Sequence, residues 1–574
     1  MQWFPAAQWL KGYNRSLFTA DLIAAIIVTI MLIPQSLAYA MLAGVPPEVG
    51  LYASVLPLVA YALFGTSRTL SVGPVAVVSL MTASAVSDAV SKTGAGYHDA
   101  AILLALMSGM MLIGMGLLRF GFLANFLSHP VVSGFISASG IIIALTQLKH
   151  MLGISSQGET LIELLESLLT GLSGTNPYTL SVGAFALLFL VWCRIYLGST
   201  LVRLGCQKAL ASTLTKTAPV VAIAVTIGFA FCFDLTNRGV AIVGAVPSGL
   251  PRLSLPSLDW VLVSELWPAA LLISIIGYVE SISVGRTLGA KRRQRVQSDQ
   301  ELVGLGAANV ASALSSGFPV TGGFSRSVVN FDAGAQTPAA SIMTAVGIAL
   351  AALFLTPVLF YLPKATLAAT IIVAVMSLVD FGLLKRAWTY SKRDGVALGG
   401  TIAVTLLGGV EAGVVAGVGL SIFLHLYYTS KPHVAIVGEV PGTQHFRNVN
   451  RHAVITAPTI CSIRIDESLY FPNAAYLEDV VYAEVAKNSA LKHVILMCSA
   501  INVIDLSALE ALEMINERLS ELGIGLHLSE VKGPVMDALE RSHLLHDLNG
   551  RVYLSQHEAF TELQRAASAP APTV

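Results

Sequence analysis

Two ionisable residues, Glu280 and Arg326, lie deepest within apolar stretches of this sequence. A charged side chain surrounded by hydrocarbon is costly, so a functional role is the default expectation for such residues. Arg326 would supply positive potential for an anion, and Glu280, once removed from water, could take up and release a proton. Two alternatives stay open: the two residues form an ion pair that only stabilises packing, or Glu280 is a permanently protonated packing carboxyl.

Glycine and proline interrupt two apolar segments, Leu70–Ala76 and Pro319–Ser327. Irregular backbone at membrane depth must line a cavity or be buried in protein. We therefore expect each segment to begin a short helix whose free N–H groups and positive dipole end point into the cavity. Two facing helix N-termini of this kind would form an anion site, and Pro74 suits the first turn of its helix. The residues that interrupt the helices are Gly73, Pro74, Gly322 and Gly323.

Polar residues also precede each interrupted segment. Gln35 and Tyr39 are one helical turn apart and either face the same cavity or form ordinary hydrogen bonds between helices. Gln35 precedes Pro74 by 39 residues, and Glu280 precedes Ser325 by 45. The corresponding residues of the two halves are 245 and 251 positions apart. These offsets indicate a repeated unit, which is inverted if each unit crosses the membrane an odd number of times.

The composition indicates an α-helical, multi-pass membrane protein. Of 574 residues, 55% are hydrophobic and 12% are charged, and the mean hydropathy is +0.72. Soluble domains carry about 25% charged residues. Apolar stretches recur from Leu22 to Tyr428, and many approach the roughly 20 residues that span a bilayer. We expect fourteen membrane elements, seven in each of two inverted repeats at about 19–235 and 265–430.

Charge distribution predicts the orientation. With the N-terminal segment 1–18 in the cytoplasm and fourteen crossings, 18 Lys and Arg residues fall in inside loops and five in outside loops. This asymmetry agrees with the positive-inside rule and places both termini in the cytoplasm. The segment Met1–Asp21 lacks the pattern of a cleaved signal peptide, so we expect none to be removed.

A different kind of sequence follows Lys431. Residues 1–432 hold 24 basic and 17 acidic side chains, a net charge of +7, whereas residues 433–574 hold 10 and 17, a net charge of −7. Short β-branched segments at Ile460–Ile465 and His493–Met497 alternate with helical patterns at Ala474–Lys487 and Leu506–Leu522. This alternation predicts a cytoplasmic α/β domain over 432–565, after a transmembrane domain over 19–431. We expect the Pro-containing tail, 566–574, to be disordered.

Several function classes are excluded. The five cysteines are scattered, and the sequence has no metal-ligand cluster, nucleophile elbow or P-loop, so we expect neither an enzyme nor a cofactor or metal site. The formal net charge of zero argues against a nucleic-acid partner.

The motifs around these residues resemble the signatures of the sulfate permease (SulP) family of anion transporters, and the segment after Lys431 resembles that family's STAS domain. The matching positions are Asp21, Ile33–Ala40, Gly44–Tyr52, Gly65–Arg68, Val72–Pro74, Gln300–Leu302, Asn309 and Thr321–Ser327. The resemblance implies a seven-plus-seven inverted repeat in which a core domain moves against a gate domain. It also implies a homodimer in a bacterial inner membrane.

The resemblance further implies an anion held between the third and tenth helices. The positions carried over are Val75, Ala76, Phe324, Ser325 and Arg326, with Gln35 and Tyr39 completing the pocket. Sodium-coupled bicarbonate members carry Asp where Glu280 stands, so Glu280 favours proton coupling over Na⁺ coupling. The implied function is secondary active transport of sulfate or a dicarboxylate.

Alternatives to this function stay open. They are a bicarbonate or chloride transporter or exchanger, a passive anion channel regulated by the STAS domain, and a signalling protein that the helices only anchor in the bilayer. In the STAS segment, Val503–Leu509 matches the turn where soluble STAS proteins carry a phosphorylatable residue. Ser507 is thus a candidate regulatory site, although Asp505 or Ser507 could equally be a helix N-cap. The domain could also bind a cytoplasmic partner.

Overall fold

The computed structural model describes residues 4–125, 129–158, 160–207, 211, 214–215, 217–245, 249–251, 253 and 258–568. The chain forms two compact units that divide between Ser421 and Ile422. This division lies within the last membrane helix, before the expected boundary at Lys431. We describe each unit by itself.

The first half of the membrane unit contains eleven helices and one short strand within the described residues. They are α1 (Ala6–Leu10), α2 (Arg15–Leu42), α3 (Pro47–Tyr52), α4 (Leu56–Phe64), β1 (Val72–Gly73), α5 (Ala76–Thr93), α6 (Tyr97–Leu117), α7 (His129–Leu152), α8 (Leu161–Gly171), α9 (Pro177–Trp192), α10 (Gly198–Arg203) and α11 (Ala218–Cys232). A π-helical turn, Cys193–Leu197, joins α9 to α10.

The second half repeats this order. Its elements are α12 (Trp260–Lys291), α13 (Ser298–Leu314), β2 (Thr321–Gly322), α14 (Phe324–Asp332), α15 (Ala339–Phe354), α16 (Lys364–Val375), α17 (Phe381–Tyr390) and α18 (Lys392–Ser430). In each half a long helix is followed by a shorter membrane element, a strand with a half-helix, two further membrane helices, a short amphipathic helix and a final pair. In the second half, the two helices of this final pair are the two arms of α18, which bends at Gly409 (φ 88°). The expected seven-plus-seven repeat is confirmed.

Seven of the described helical segments are long and apolar enough to cross a membrane, and α11, α15 and α16 are shorter apolar helices. The elements that fall short of a full span include the half-helices α5 and α14, which begin beside a strand inside the unit. Shorter length is the expected consequence of the glycine and proline interruptions.

The helices pack in two groups. In one, α13 packs on α4 and α6, α12 packs on α5 and α6, and α2 packs on α14 and α15. In the other, α16 packs on α7 and α9, and α11 packs on α9. These groups correspond to the expected core and gate domains.

Glycines allow a close helix contact in the core group. A Cβ atom added to Gly109 of α6 would lie 2.7 Å from the backbone nitrogen of Val310, and one added to Gly306 of α13 would lie 2.8 Å from the carbonyl oxygen of Gly109. Small residues let backbones approach in this way where lipid offers no hydrophobic driving force.

The second unit is an α/β domain. Its strands are β3 (Val434–Glu439), β4 (Phe446–Asn448), β5 (Ile460–Ile465), β6 (His493–Met497), β7 (Gly525–Ser529) and β8 (Val552–Tyr553), and its helices are α19 (Ala474–Lys487), α20 (Leu506–Glu521), α21 (Gly533–Leu539), α22 (Leu544–Asp547) and α23 (Gln556–Ser568). The sheet order is β4-β3-β5-β6-β7-β8, parallel from β5 to β8 and antiparallel at β3. The central strands are largely buried, and most of their residues are apolar.

The predictions for this unit are mostly confirmed. The two predicted strands and the α19 range agree with the structure, and α20 ends one residue earlier than expected. The prediction of a disordered tail is wrong for residues 566–568, because the amphipathic helix α23 continues to Ser568. Residues 569–574 lie outside the described residues.

A histidine pair in this sheet is expected to make the unit sensitive to acid. Nδ1 of His527 accepts a hydrogen bond from the backbone nitrogen of Arg551 at 3.0 Å, and its Nε2 lies 3.1 Å from Nδ1 of His493. Burial, with smaller contributions from the charges of His493 and Arg551, lowers the pKa of His527 from 6.5 to about 4. A proton on Nδ1 would remove the hydrogen bond from Arg551, so the folded state disfavours the charged ring.

Replacing His527 by Gln is expected to reduce the acid sensitivity of this sheet. The unfolded chain binds the proton on His527 more tightly than the folded state does. The contribution of His527 to the free energy of unfolding is therefore fully present above pH 6.5 and decreases as the pH falls towards 4. The loss amounts to about 2 kcal/mol between pH 7 and pH 5. Amide hydrogen exchange of β6 and β7 in the full-length protein, corrected for intrinsic rates, measures this loss. The exposed His546→Gln variant is the control, and equal losses in both variants would contradict the prediction.

Candidate functional site

The two half-helices start from a shared two-stranded ribbon. β1 pairs antiparallel with β2, with Val72 opposite Gly322 and Gly73 opposite Thr321. Because the strands are antiparallel, the chains leave the ribbon in opposite directions, so α5 and α14 begin on opposite sides of it. Neither N-cap residue, Val75 or Gly323, makes a side-chain capping hydrogen bond. Free N–H groups at both helix starts are therefore available to an anion.

The place of Pro74 differs from the expectation. The sequence predicts it in the first turn of α5, but the helix begins at Ala76 with Val75 as an extended N-cap. Pro74 therefore lies in the connection between the ribbon and the helix, where its lack of an N–H group costs nothing to the strand pairing.

Arg326 lies at the centre of this arrangement. It is 2% exposed, and its Nη2 donates to the carbonyl oxygen of Thr321 at 3.3 Å, while its Nη1 has no hydrogen-bond partner within the described part of the chain. A Cβ atom added to Gly73 would lie 2.8 Å from Nη1, and one added to Gly323 would lie 3.0 Å from Nε. The two glycines therefore make room for the guanidinium group, which keeps an unused donor beside the ribbon.

Glu280 faces the gate group of helices. The half-buried side chain lies on α12, and its Oε2 has no hydrogen-bond partner among the described residues. It lines an apolar cavity of about 20 Å³ with Phe135 of α7 and Val414 of α18, a space that holds about one water molecule. No ion-pair contact joins Arg326 and Glu280 among the described residues: Nη2 of Arg326 donates to the Thr321 carbonyl, and the two charged side chains interact only at longer range.

Other expected pocket residues are placed around this centre. Gln35 and Tyr39 are buried on α2, and Tyr39 interacts electrostatically with both Arg326 and Glu280. Tyr39 also shares a buried cluster with Ala76. Val75 is buried.

The pocket has an exposed side. Phe324, at 49% exposure, and the exposed Ser325 form the first residues of α14. The structure therefore brings Tyr39, Ala76, Glu280 and Arg326 together, with Phe324 and Ser325 on the accessible side. Gln35 is buried, but no hydrogen bond joins it to Arg326 among the described residues.

Two residues next to the predicted site hold the ribbon in place. Oγ of Ser281 accepts from the backbone nitrogen of Gly322 at 2.8 Å and lies 2.7 Å from Oγ1 of Thr321. Asn309 of α13 pairs with both backbone groups of Val320, at 2.9 Å and 2.8 Å. Their side chains substitute for a third strand beside β2. Asn309 belongs to one of the motifs noted in the sequence, but a role could be predicted for neither residue. The sequence of a helix does not show which distant group a polar side chain will bind.

A buried carboxylate from the second half stabilises the loop before β1. Glu301 of α13 accepts from the Tyr61 hydroxyl at 2.6 Å, from the backbone nitrogen and hydroxyl of Thr66 at 2.7 and 2.5 Å, and from the backbone nitrogen of Ser67 at 3.0 Å. It is fully buried. Four donors satisfy the charge, so this carboxylate stabilises the fold, whereas Oε2 of Glu280 has no such donor in the described part of the chain.

An acidic residue of the first half makes the same kind of contact with a turn of the second half. Asp21 of α2, also fully buried, accepts from the backbone nitrogens of Gln336 and Thr337 at 2.7 and 3.1 Å and from the Thr337 hydroxyl at 2.5 Å. Each repeat thus supplies an acidic residue to a turn of the other. Both residues occur in the motifs noted in the sequence, where their role could not be inferred.

Replacing Glu301 by Ala is expected to destabilise the protein. Loss of the acceptor leaves the N–H groups of the half-buried Thr66 and the buried Ser67 unpaired, at about 1–3 kcal/mol each, and a thermal unfolding midpoint lower by about 2–6 °C would follow. The measurement is thermal unfolding of the purified protein, with the exposed Glu166→Ala as control. A midpoint equal to that of the control would show that the network is dispensable.

In the second unit, the candidate Ser507 is exposed on the first turn of α20. Asp505 is the N-cap: its Oδ1 accepts from the backbone nitrogen of Ala508 at 2.9 Å, and its Oδ2 accepts from that of Phe471 at 2.8 Å. Since Asp505 fills the capping role, Ser507 has none there. Phosphorylation of Ser507 stays a prediction.

Among the described residues, no group of three or more His, Cys, Asp or Glu side chains could hold a metal ion.

Family comparisons cover most of the chain. A model of the sulfate permease family matches residues 18–401, and a model of the STAS domain matches residues 452–559. The first match alone contains the ribbon, both half-helices, Glu280 and Arg326.

Relatives match over nearly the full length. The chain is 36% identical over 556 residues to sulfate transporter 4.1, chloroplastic, of Arabidopsis thaliana, covering 94% of this chain and 79% of that relative. It is 31% identical over 559 residues to high affinity sulfate transporter 1 of Stylosanthes hamata, covering 94% and 83%.

Solved structures share the fold. The murine Solute Carrier 26 family member A9 anion transporter in the inward-facing state superposes with a TM-score of 0.88 at 22% identity, over 98% of this chain and 94% of that one. The transmembrane domain of the cyanobacterial bicarbonate transporter BicA superposes with a TM-score of 0.60 at 23% identity, over 71% and 99%.

Proposed function

This chain belongs to the sulfate permease family, and we propose that it carries sulfate or a small dicarboxylate across the membrane by secondary active transport. The family is one of anion transporters rather than enzymes, and the chain is a multi-pass membrane protein with a C-terminal STAS domain. The names of the relatives at 36% and 31% identity favour sulfate as the first substrate to test.

The observation that carries this proposal is the ribbon with two uncapped half-helices around Arg326. The N-terminal N–H groups of α5 and α14 and the unpartnered Nη1 of Arg326 are all hydrogen-bond donors. Such donors can replace part of the water shell of an anion, and a guanidinium group pairs well with the oxygens of an oxyanion. A dianion gains more from this positive potential than chloride does, which supports sulfate or a dicarboxylate.

Alternating access would come from movement of the core group against the gate group. Every residue of the proposed anion site lies on a core element, namely α2, α12, α14 or the start of α5. The site could therefore move as one body past α7 and α18. Phe324 and Ser325 would then be accessible from one side of the membrane, and after the movement the opposite face of the site would be accessible from the other side. Rigid-body movement of this kind is usual in transporters with inverted repeats.

We further propose that Glu280 couples this movement to protons. Its Oε2 meets an apolar surface formed partly by gate residues, and a charged carboxylate is costly there. Protonation would allow the core to slide past the gate, and release of the proton in water would restore the charge. The absence of a hydrogen-bond network around Glu280 in the described structure distinguishes it from Glu301 and favours this role.

Three further assignments accompany the proposal: a bacterial inner membrane, cytoplasmic N- and C-termini, and a homodimer. The distribution of 18 basic residues in one set of loops against five in the other supports the orientation.

The test is uptake into proteoliposomes. The purified full-length protein would be offered labelled sulfate, succinate, bicarbonate and chloride, each with and without a pH gradient and with a Na⁺ gradient as a separate arm. We expect sulfate or succinate to accumulate above its equilibrium distribution only when the pH gradient is imposed. Equilibration without accumulation would indicate a channel, and accumulation driven by Na⁺ alone would contradict the role of Glu280.

A further inference from the structure

A short amphipathic helix, α17, lies on the surface of the membrane unit with little of the described protein against it. Of its ten residues, all of them described, Ala387 is the buried one, and the helix packs on α7. Ten helical residues extend about 15 Å, half of the roughly 30 Å hydrocarbon core of a bilayer. Because α17 is too short to cross the membrane, it lies along the membrane surface.

One face of α17 is apolar and exposed. This apolar face consists of Phe381, Leu384 and Trp388, which are three and four positions apart and hence on the same side of the helix. Phe381 is 71% exposed and Trp388 is 55% exposed. This spacing is typical of a helix that lies in the membrane interface with its apolar face towards the acyl chains. Tyr390 is exposed at the end of the helix, and Trp and Tyr are enriched at this depth.

Basic side chains lie beside the apolar face. A groove of about 660 Å³ is lined by Lys385 and Arg386 of α17, together with Pro130 of α7 and Asp394 of α18. Both basic residues are exposed, and neither side chain has a hydrogen bond or an ion pair within the described residues. Asp394 is the acidic residue of this lining, so two positive charges against one negative charge leave the groove positive.

The neighbouring charges do not cancel this positive charge. The segment from Asp380 to Asp394 holds four basic and two acidic residues. Oδ1 of Asp380 accepts from the backbone nitrogen of Leu383 at 3.1 Å, so this carboxylate serves as the N-cap of α17. Lys392 and Arg393, at the start of α18, are exposed and add to the positive potential around the groove.

We propose that an anionic phospholipid binds to α17. Its phosphate group lies in the groove and contacts the Lys385 ammonium and the Arg386 guanidinium, whose planar fork suits two phosphate oxygens. One acyl chain lies along the apolar face. A soluble phosphate would satisfy the two basic residues but leave the apolar face in water, so the two adjacent surfaces together favour a lipid.

The bound lipid would connect the gate group of helices to the membrane surface. The backbone nitrogen of Asp380 donates to Oγ of Ser137 of α7 at 3.2 Å, and Ser391 alone separates α17 from α18. A lipid on α17 would therefore hold both gate helices at a fixed depth while the core group moves. This inference goes beyond the proposed function, since it needs only a chain that spans a membrane.

Quenching of Trp388 fluorescence by lipids with brominated acyl chains tests the position of the lipid. The purified full-length protein in a neutral detergent is titrated with brominated phosphatidylglycerol or brominated phosphatidylcholine, and the signal of Trp388 is the difference between the parent and Trp388→Phe. We expect phosphatidylglycerol to quench Trp388 at a concentration at least about fivefold lower than phosphatidylcholine. Equal quenching by both lipids would overturn the proposal, because it would show only ordinary contact with the bilayer. Quenching by neither would also overturn it, because a protein surface such as a second copy would then cover the apolar face.

Charge variants test the groove. Lys385→Gln/Arg386→Gln removes both charges and should abolish the preference for phosphatidylglycerol, whereas Lys385→Arg/Arg386→Lys should keep it within about twofold. The matched control, Arg451→Gln/Arg541→Gln, removes two exposed charges from the α/β unit and should also keep it. The proposal is wrong if the first variant keeps the preference or if the control loses it.

Glycerol phosphate, offered together with brominated phosphatidylglycerol, separates a lipid from a soluble phosphate. At the same concentration as the lipid it should leave the quenching of Trp388 unchanged, because it has no acyl chain to contact the apolar face. If it displaces the lipid at equal concentration, the groove is a site for a soluble phosphate and the lipid proposal is wrong.

Discussion

Replacement of Arg326 by Ala is expected to raise the KM for sulfate by about 10- to 100-fold, equivalent to about 1.4–2.8 kcal/mol. Arg326 is buried beside both half-helix N-termini, and its Nη1 is an unused donor among the described residues. Its removal eliminates the positive side chain of the site and one charge-assisted hydrogen bond, while the helix N–H groups stay in place. Initial rates of labelled sulfate uptake into proteoliposomes at varied sulfate concentration measure the change.

Two variants make the Arg326 result interpretable. Arg295→Ala removes an exposed arginine that lies between α12 and α13, so its KM should equal that of the parent protein. Arg326→Lys keeps the charge but not the planar fork, and we expect an intermediate KM. Because Arg326 also donates to the Thr321 carbonyl, each variant is compared only after its thermal unfolding midpoint has been measured. A KM for Arg326→Ala within about twofold of the parent, less than about 0.5 kcal/mol, contradicts the electrostatic role.

Replacement of Glu280 by Gln is expected to abolish sulfate accumulation driven by a pH gradient, with a loss of at least about tenfold, while sulfate binding persists. The amide has nearly the same shape as the carboxyl group but cannot exchange a proton, so it resembles the permanently neutral state. Because no hydrogen bond holds Oε2 in the described structure, the substitution leaves no partner unsatisfied. Accumulation with and without an inside-alkaline gradient, together with equilibrium sulfate binding, measures the two properties separately.

Glu265→Gln is the matched control for Glu280→Gln. Glu265 lies on the same helix, α12, but at its exposed end, where it pairs with Lys92 at 3.1 Å. The same chemical change there should leave the dependence on pH unaltered. If Glu280→Gln still accumulates sulfate in proportion to the pH gradient, the proton passes through another group and the coupling proposal is wrong.

Much of the fold was predictable because it depends on local sequence properties. Long apolar stretches define membrane helices, and glycine and proline interrupt them wherever they occur, so the positions of α5 and α14 follow from Gly73 and Gly323. The alternation of β-branched and amphipathic segments likewise predicted β5, α19 and β6 with their observed ranges. The family resemblance is confirmed by the matching models.

The errors and omissions concern pairing between distant residues. An ion pair of Glu280 and Arg326 was one of the alternatives that the sequence left open, and the structure instead gives Arg326 a backbone carbonyl as its hydrogen-bond partner. The buried carboxylates of Asp21 and Glu301 were noted as parts of motifs, yet their partners are 315 or more and 234–240 positions away. Nothing in the local sequence distinguishes a fully hydrogen-bonded carboxylate from an unpartnered one.

By itself, the sequence determined that this protein is a membrane protein of two inverted repeats with an α/β domain after them, since hydropathy, helix-breaking residues and periodicity are properties of neighbouring residues. The tertiary structure decided which buried acidic residue has its hydrogen bonds satisfied and which does not. It placed Glu301 among four donors and left Oε2 of Glu280 without one in the described part of the chain. The physical reason is that the energy of a buried charge depends on the few atoms within hydrogen-bond distance of it, and the fold brings those atoms together from both repeats.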